Sequence, residues 1–214
     1  MNKQKLIGSI IGVTLFALLV AGATFAWLSV GANITNSVYN GTTKNFIINY
    51  TGGTDITNVL QLSASNATTA NITSGYTSVT ASKSANSAPA SSFKINFNIS
   101  TNTFTTNSVI YAVCRGTCPT TTLATVSTNS GIATATCSNN GNVVACGTIT
   151  GGVTTSTTPL TLYEDTTTFN TEAQVSDTTY SIYFWISSET LTNTDMNANA
   201  SISGNISASA VQTG

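Results

Sequence analysis

The sequence predicts an all-β protein: an antiparallel β-sandwich or jelly roll of about ten strands, preceded by a hydrophobic N-terminal helix that is a signal peptide or an anchor. Three observations support this expectation. Apolar and polar residues alternate at period two through most of the chain beyond Trp27. Ser and Thr together number 68 and Asn 23 in 214 residues, which combines strand-forming Thr with turn-forming Ser and Asn. Only 6% of the residues are charged, far below the roughly 25% of an average soluble protein. Hydroxyls and amides must therefore solvate the surface, while the 41% of hydrophobic residues supplies a core.

The alternating stretches follow in order along the chain. In residues 27–38, Leu28, Val30, Ala32, Ile34 and Val38 point one way, with small polar groups between most of them. NFIINY, NVLQLSA, SVIYAV, GIATATC, VVACGTI and PLTLYE are shorter strand-like runs. FKINFNIS places Phe93, Ile95, Phe97 and Ile99 inward. YSIYFWIS sets Tyr180, Ile182, Phe184 and Ile186 on one face, with Tyr183 and Trp185 on the other. The tail alternates from Ala198 to Ala210. Half-buried alternation of this kind fits antiparallel sheets. SETLTNTDMNANA has room for a turn of helix at most, and residues 81–92 read as a long loop within one domain spanning 27–214.

At the N-terminus, Lys3 and Lys5 precede Leu6–Ala26, 21 residues without a charge. The lysines are expected to stay cytoplasmic while the rest crosses outward. The segment is long enough to span a bilayer, but it ends in small residues suited to cleavage after Ala23 or Ala26. Residues 1–26 are thus a signal peptide or a membrane anchor, cleavage being the favoured reading, and the remainder lies outside the cell.

This lysine-rich start, the run LIGSIIGVTLFALLVAGATFAW and the immediate turn to β-type sequence resemble the export segments of the TasA/camelysin group. The resemblance covers about the first thirty residues and implies a secreted β-protein, of the class that forms biofilm-matrix fibres or archaeal bundling pili. A type IV pilin-like subunit is a third reading. It is weakened because Leu6 rather than a small residue follows Lys5, and because no Glu stands early in the apolar run.

Four cysteines in an exported chain are expected to form disulfides. A two-residue hairpin turn at Gly141-Asn142 would bring Cys137 opposite Cys146 at a non-hydrogen-bonded position, where side chains lie closest. Cys114 and Cys118 would then close a small loop, cross-pairing between the two groups being the alternative. A zinc site of four thiolates is disfavoured, since only the first pair has knuckle-like spacing and no His is present.

The absence of His excludes Ser-His-Asp and Cys-His catalysis. Among the seven acids, Asp55, Glu164, Asp165, Glu172, Asp177, Glu189 and Asp195, only Glu164 and Asp165 are adjacent, and neighbours on a strand point to opposite faces. Glu164, Asp165 and Asp177 could bind calcium with backbone carbonyls, but without a D-x-D-x-D-G loop they read as solvated loop charges. No enzyme activity, metal or cofactor is expected, and a net charge of −1 argues against nucleic acid. Eight sequons, at Asn33, Asn40, Asn49, Asn66, Asn71, Asn98, Asn199 and Asn205, are candidate glycosylation sites. Their number is what chance predicts from the composition. Tyr183 and Trp185 read first as core, then as a subunit contact, then as a sugar-stacking platform.

The expected function is a structural one, a secreted subunit of an extracellular filament or matrix whose main partner is another copy of itself. Trp27, Leu28, Val30, Ala32, Ile34 and Val38 form a candidate donor strand, with the alternating tail as its receiving edge. The alternative is a membrane-anchored surface adhesin or carbohydrate-binding sandwich. The membrane is expected to be engaged only through the N-terminal segment.

Overall fold

The computed structural model describes residues 48–83, 90–129, 132–139, 141–152, 158–171 and 173–212. The leader, the cleavage positions Ala23 and Ala26, the comb from Trp27 to Val38, and the sequons Asn33 and Asn40 lie outside the described residues.

Strand is the dominant regular structure of the described chain. In order the strands are β1 (Ile48–Gly52), β2 (Asp55–Ile56), β3 (Gln61–Leu62), β4 (Tyr76–Lys83), β5 (Ser91–Asn102) and β6 (Val109–Arg115). There follow β7 (Ala124–Asn129), β8 (Ile132–Cys137), β9 (Val143–Ile149), β10 (Leu160–Asp165), β11 (Val175–Ser187) and β12 (Ile202–Gln212). One helical turn, α1 (Asn193–Asn197), precedes β12. The first sheet runs β1-β4-β11-β6-β9, with β3 pairing in parallel with β11. The second runs β10-β5-β12-β2, and β7 and β8 form a separate two-stranded sheet. Except at β3, every pairing is antiparallel.

The two large sheets close on one core. Phe93, Ile95 and Phe97 of β5 are fully buried, as are Tyr180, Ile182 and Phe184 of β11. The rings of Phe97 and Phe184 meet at 4.8 Å and those of Phe93 and Tyr180 at 5.6 Å, so the strands with the clearest alternation face each other across the sandwich. Ile202, Ile206 and Ala208 of β12 complete the inner layer. At one end the loop after β10 folds inward, Phe169 packing on Phe93 at 5.3 Å. The buried Lys83 ammonium donates to the carbonyls of Phe169 and Thr171 there.

A second, smaller core lies on the outer face of the first sheet. Trp185 is fully buried among Ile72, Ile110, Ala112, Leu123 and Ala124, beneath the β7–β8 hairpin and the 3-10 turn Ala64–Asn66. Trp185 is therefore a core residue and Tyr183 is packed half-buried against the same cluster.

Several expectations are corrected. The loop between β4 and β5 is shorter than 81–92, because Ala81, Ser91 and Ser92 are buried strand residues. The alternation of the tail starts only at Ile202, since Asn199 turns the chain at φ 50°. Cys137 and Cys146 do join, and so do Cys114 and Cys118, but not across a β-hairpin. β8 pairs with β7, placing Cys137 opposite Ala124, while β9 pairs with β6, placing Cys146 opposite Ala112. Each strand found another partner, so this disulfide ties the cover hairpin down onto the main sheet.

Candidate assembly edge

β12 is the sheet edge that differs from the others. On one side it pairs with β5 from Ile202 to Gln212. On the other, among the described residues, it meets β2 alone, at Gly204 and Asn205. The approach is close where the chain departs: a Cβ on Gly53, at φ +82°, would stand 2.6 Å from the Ile206 carbonyl oxygen. From there the chain runs back into β1, which belongs to the opposite sheet. Along Ser207–Gln212 no described strand pairs with this edge.

Sequence and packing together shape the stretch. Ile206 and Ala208 are buried and Ala210 is half-buried on the inner face, opposite Phe97, Ile95 and Phe93 of β5. Ser207 and Ser209 face outward, accepting hydrogen bonds from Asn98 Nδ2 at 2.9 Å and Asn96 Nδ2 at 3.1 Å. Gly204 is required higher up, because a Cβ there would fall 2.3 Å from the Asn98 carbonyl oxygen and 2.6 Å from the Phe97 ring. Across the sandwich, Tyr50 of β1 pairs with the buried Ala81 and so shares its inward face, packing on the main core.

Natural proteins blunt exposed edges with lysine, proline or inward-pointing charge. Ile206–Gln212 contains none of these. The edge strand of the same sheet on the other side, β10, is guarded: Glu164 pairs with Lys94 at 3.3 Å and Asp165 is buried.

That burial overturns the reading of Asp165 as a solvated loop charge, while Glu164 and Asp177 are exposed. Asp165 accepts from the Tyr180 hydroxyl at 2.6 Å and from the backbone N–H groups of Thr167 and Thr168 at 2.9 and 2.7 Å, with Arg115 Nη1 3.6 Å away. Burial alone would raise its pKa, but the bonds from Thr168, Tyr180 and Thr167 outweigh this and hold it at about 2. Asp195 is 1% exposed and sits in the first turn of α1. It accepts from Thr105 N–H and Oγ1 at 2.7 Å each, Thr106 Oγ1 at 2.8 Å and Thr192 Oγ1 at 3.0 Å. These donors likewise overcome the opposing effect of burial and hold its pKa at about 2. Both carboxylates are structural, and the Thr-rich neighbourhood that satisfies them gave no sign in the sequence that the acids would be inside. Among the described residues no group of three or more Cys, Asp or Glu is arranged to hold a metal ion.

The sequons divide by environment. Asn66, Asn71 and Asn199 are exposed, whereas Asn98 and Asn205 are half-buried register partners joined Nδ2 to Oδ1 at 2.7 Å. Asn49 lies on β1.

The chain matches no protein-family model, no curated protein and no solved structure. What the fold and edge define is an antiparallel β-sandwich with two disulfides and a stretch, Ser207–Gln212, with which no described strand pairs on its outer side.

Proposed function

We propose that the protein is a secreted structural subunit of an extracellular filament or matrix, assembled when segment Trp27–Val38 of one copy adds as a strand to the β12 edge of the next. The observation that supports this is the uncharged stretch Ser207–Gln212, with which no described strand pairs on the side away from β5. The inward positions Ile206, Ala208 and Ala210 share the period of Leu28, Val30, Ala32 and Ile34. Residues 39–47 separate the segment from β1, a tether that spans at most about 30 Å when extended. That length lets the segment reach either its own β12 or a neighbour's. Donation to a neighbour is a head-to-tail contact that does not close, so it propagates as a filament. A surface with few charges opposes such contacts little. Two disulfides fit an oxidising location outside the cytoplasm. Until the leader is cut, after Ala23 or Ala26, the donor remains tethered to the membrane and assembly waits for export.

The test is negative-stain microscopy of exported protein, with N-terminal sequencing. Deletion of Trp27–Ile34 abolishes fibres on this reading. Ile34→Asp does the same because it would bury an unpaired carboxylate. Added Trp27–Val38 peptide caps subunits as monomers. Fibres of unchanged morphology from the truncated protein would refute strand donation and favour the anchored surface adhesin.

A further inference from the structure

The outer face of β4 and β11 is built differently from the rest of the surface. Inward residues Val79, Ala81, Tyr180, Ile182 and Phe184 belong to the main core, so the alternate residues of both strands point outward. They pair across the strands as Tyr76 with Tyr183, Ser78 with Ser181, and Thr80 with Thr179. Thr51 of β1 extends the last row, opposite Thr80. The strip is an aromatic pair followed by two rows of hydroxyls, with no charged side chain among these residues. All of them are exposed or half-buried, because the β7–β8 cover lies over the neighbouring strands.

The aromatic end is rigid. Tyr76 and Tyr183 stack at 5.7 Å with 17° between their planes, yet Tyr76 remains 54% exposed. Tyr183 is anchored in the second core. The start of β4 is pinned by the Phe184 N–H donating to the Gly75 carbonyl at 2.8 Å. A large ring held open to solvent and already ordered loses little conformational freedom when something stacks on it. Beyond it, Thr80 and Thr179 hold their hydroxyls 2.9 Å apart.

We infer that this strip binds a neutral polysaccharide chain lying along β4 and β11. A pyranose ring with equatorial hydroxyls presents a flat C–H face to an aromatic ring and hydroxyls at its rim. The strip offers those two complements in that order, over about 14 Å from Tyr76 to Thr80 at the usual strand rise. Because the strip is uncharged, neither a polyanion nor a polycation gains a counter-charge from it. The site is separate from the β12 edge and belongs to the other sheet, so it stands whether or not the chain forms filaments. In a matrix protein it would join the protein network to the glycan one.

The experiment titrates the full-length exported protein with cellohexaose and laminarihexaose by calorimetry, alongside Tyr76→Ala, Tyr76→Trp and Ser78→Asp. Saturable binding of at least one oligosaccharide is expected. Tyr76→Ala should weaken it about tenfold, the equivalent of about 1.4 kcal/mol. Ser78→Asp should weaken it as well, and Tyr76→Trp should retain it. The circular dichroism spectrum should stay that of the parent in all three. The thermal midpoint should hold in Tyr76→Trp and Ser78→Asp and fall by about 2–4 °C in Tyr76→Ala, which loses the stack on Tyr183. Absence of saturable binding by the parent overturns the inference, as does equal affinity in Tyr76→Ala and Ser78→Asp. A Tyr76→Ala variant that loses self-association while keeping glycan affinity also overturns it, making the strip a contact between copies. Fibre formation by these variants is read separately, so failure of the glycan site is distinguishable from failure of strand donation.

Discussion

Replacing Asp195 by Ala tests whether a buried carboxylate fixes the loop between β5 and β6 to the turn that launches β12. The side chain satisfies one backbone N–H and three hydroxyls, on Thr105, Thr106 and Thr192. Its removal leaves the Thr105 N–H without its acceptor and breaks the bond from Thr192 Oγ1, while the backbone N–H of residue 195 still donates to that hydroxyl to cap α1. Hydrogen bonds to a charged group contribute roughly 1.5–3 kcal/mol each but are not additive, and the three hydroxyls can turn elsewhere, so the expected loss is about 3 kcal/mol. For a domain of this size that lowers the thermal midpoint by about 6–12 °C. Asp195→Asn keeps the shape and one acceptor and should cost about 1–2 kcal/mol at pH 7. Urea unfolding followed by circular dichroism measures both. The pH dependence has a definite sign. The folded pKa, about 2, lies below the unfolded value of roughly 3.9, so the contribution is complete above pH ~4 and is lost as pH falls towards 2. The gap between parent and Asp195→Asn should close over that window. A loss below about 0.5 kcal/mol for Asp195→Ala, within the range of ordinary surface changes, or a gap that ignores pH, would refute the reasoning.

Two more predictions concern the same framework. The double variant Cys137→Ser/Cys146→Ser should lose about 2–3 kcal/mol by urea unfolding, the contribution of so short a loop, and the native parent should show no thiol reactive to a thiol reagent. Tyr180→Phe removes the hydroxyl that donates to Asp165 and should cost about 1–2 kcal/mol at pH 7. It raises the folded pKa of Asp165 towards the unfolded one, which shrinks the stability lost between pH ~4 and 2; an unchanged acid-unfolding profile would count against that role.

Much of the sandwich was legible because its central strands contrast apolar teeth with polar gaps. β5, β11 and β12 announce themselves in this way. β4 and β7 did not, because YTSVTASK and ATVSTN put hydroxyls on both faces. In β4 the inward positions include Thr77 and Lys83 as well as Val79 and Ala81, so period two is present in the structure and nearly silent in the hydropathy. The buried Lys83 and Asp165 were equally opaque: Lys83 is held by carbonyls far away in sequence, and Asp165 by the following N–H groups and the Tyr180 hydroxyl, a pattern that an exposed turn would share. Alternation identified β12 as a strand, but which of its edges stays bare depends on the order of strands in the sheet. The aromatic strip shows the same limit: YSIYFWIS placed Tyr183 and Trp185 together, whereas topology buried one and gave the other Tyr76 as its neighbour.

The passage from β1 to β2 has a mechanical side. Within nine residues, Ile48–Ile56, the chain is stitched first to β4 in one sheet and then to β12 in the other. Tension drawn through the backbone away from Ile48 along the strand pulls β1 parallel to β4, so that its five register pairs are loaded in shear and share the force rather than opening one after another. The load then passes through both layers before it can reach the rest of the chain. A strand anchored in this way makes the entry point of the sandwich resistant to pulling along its own axis.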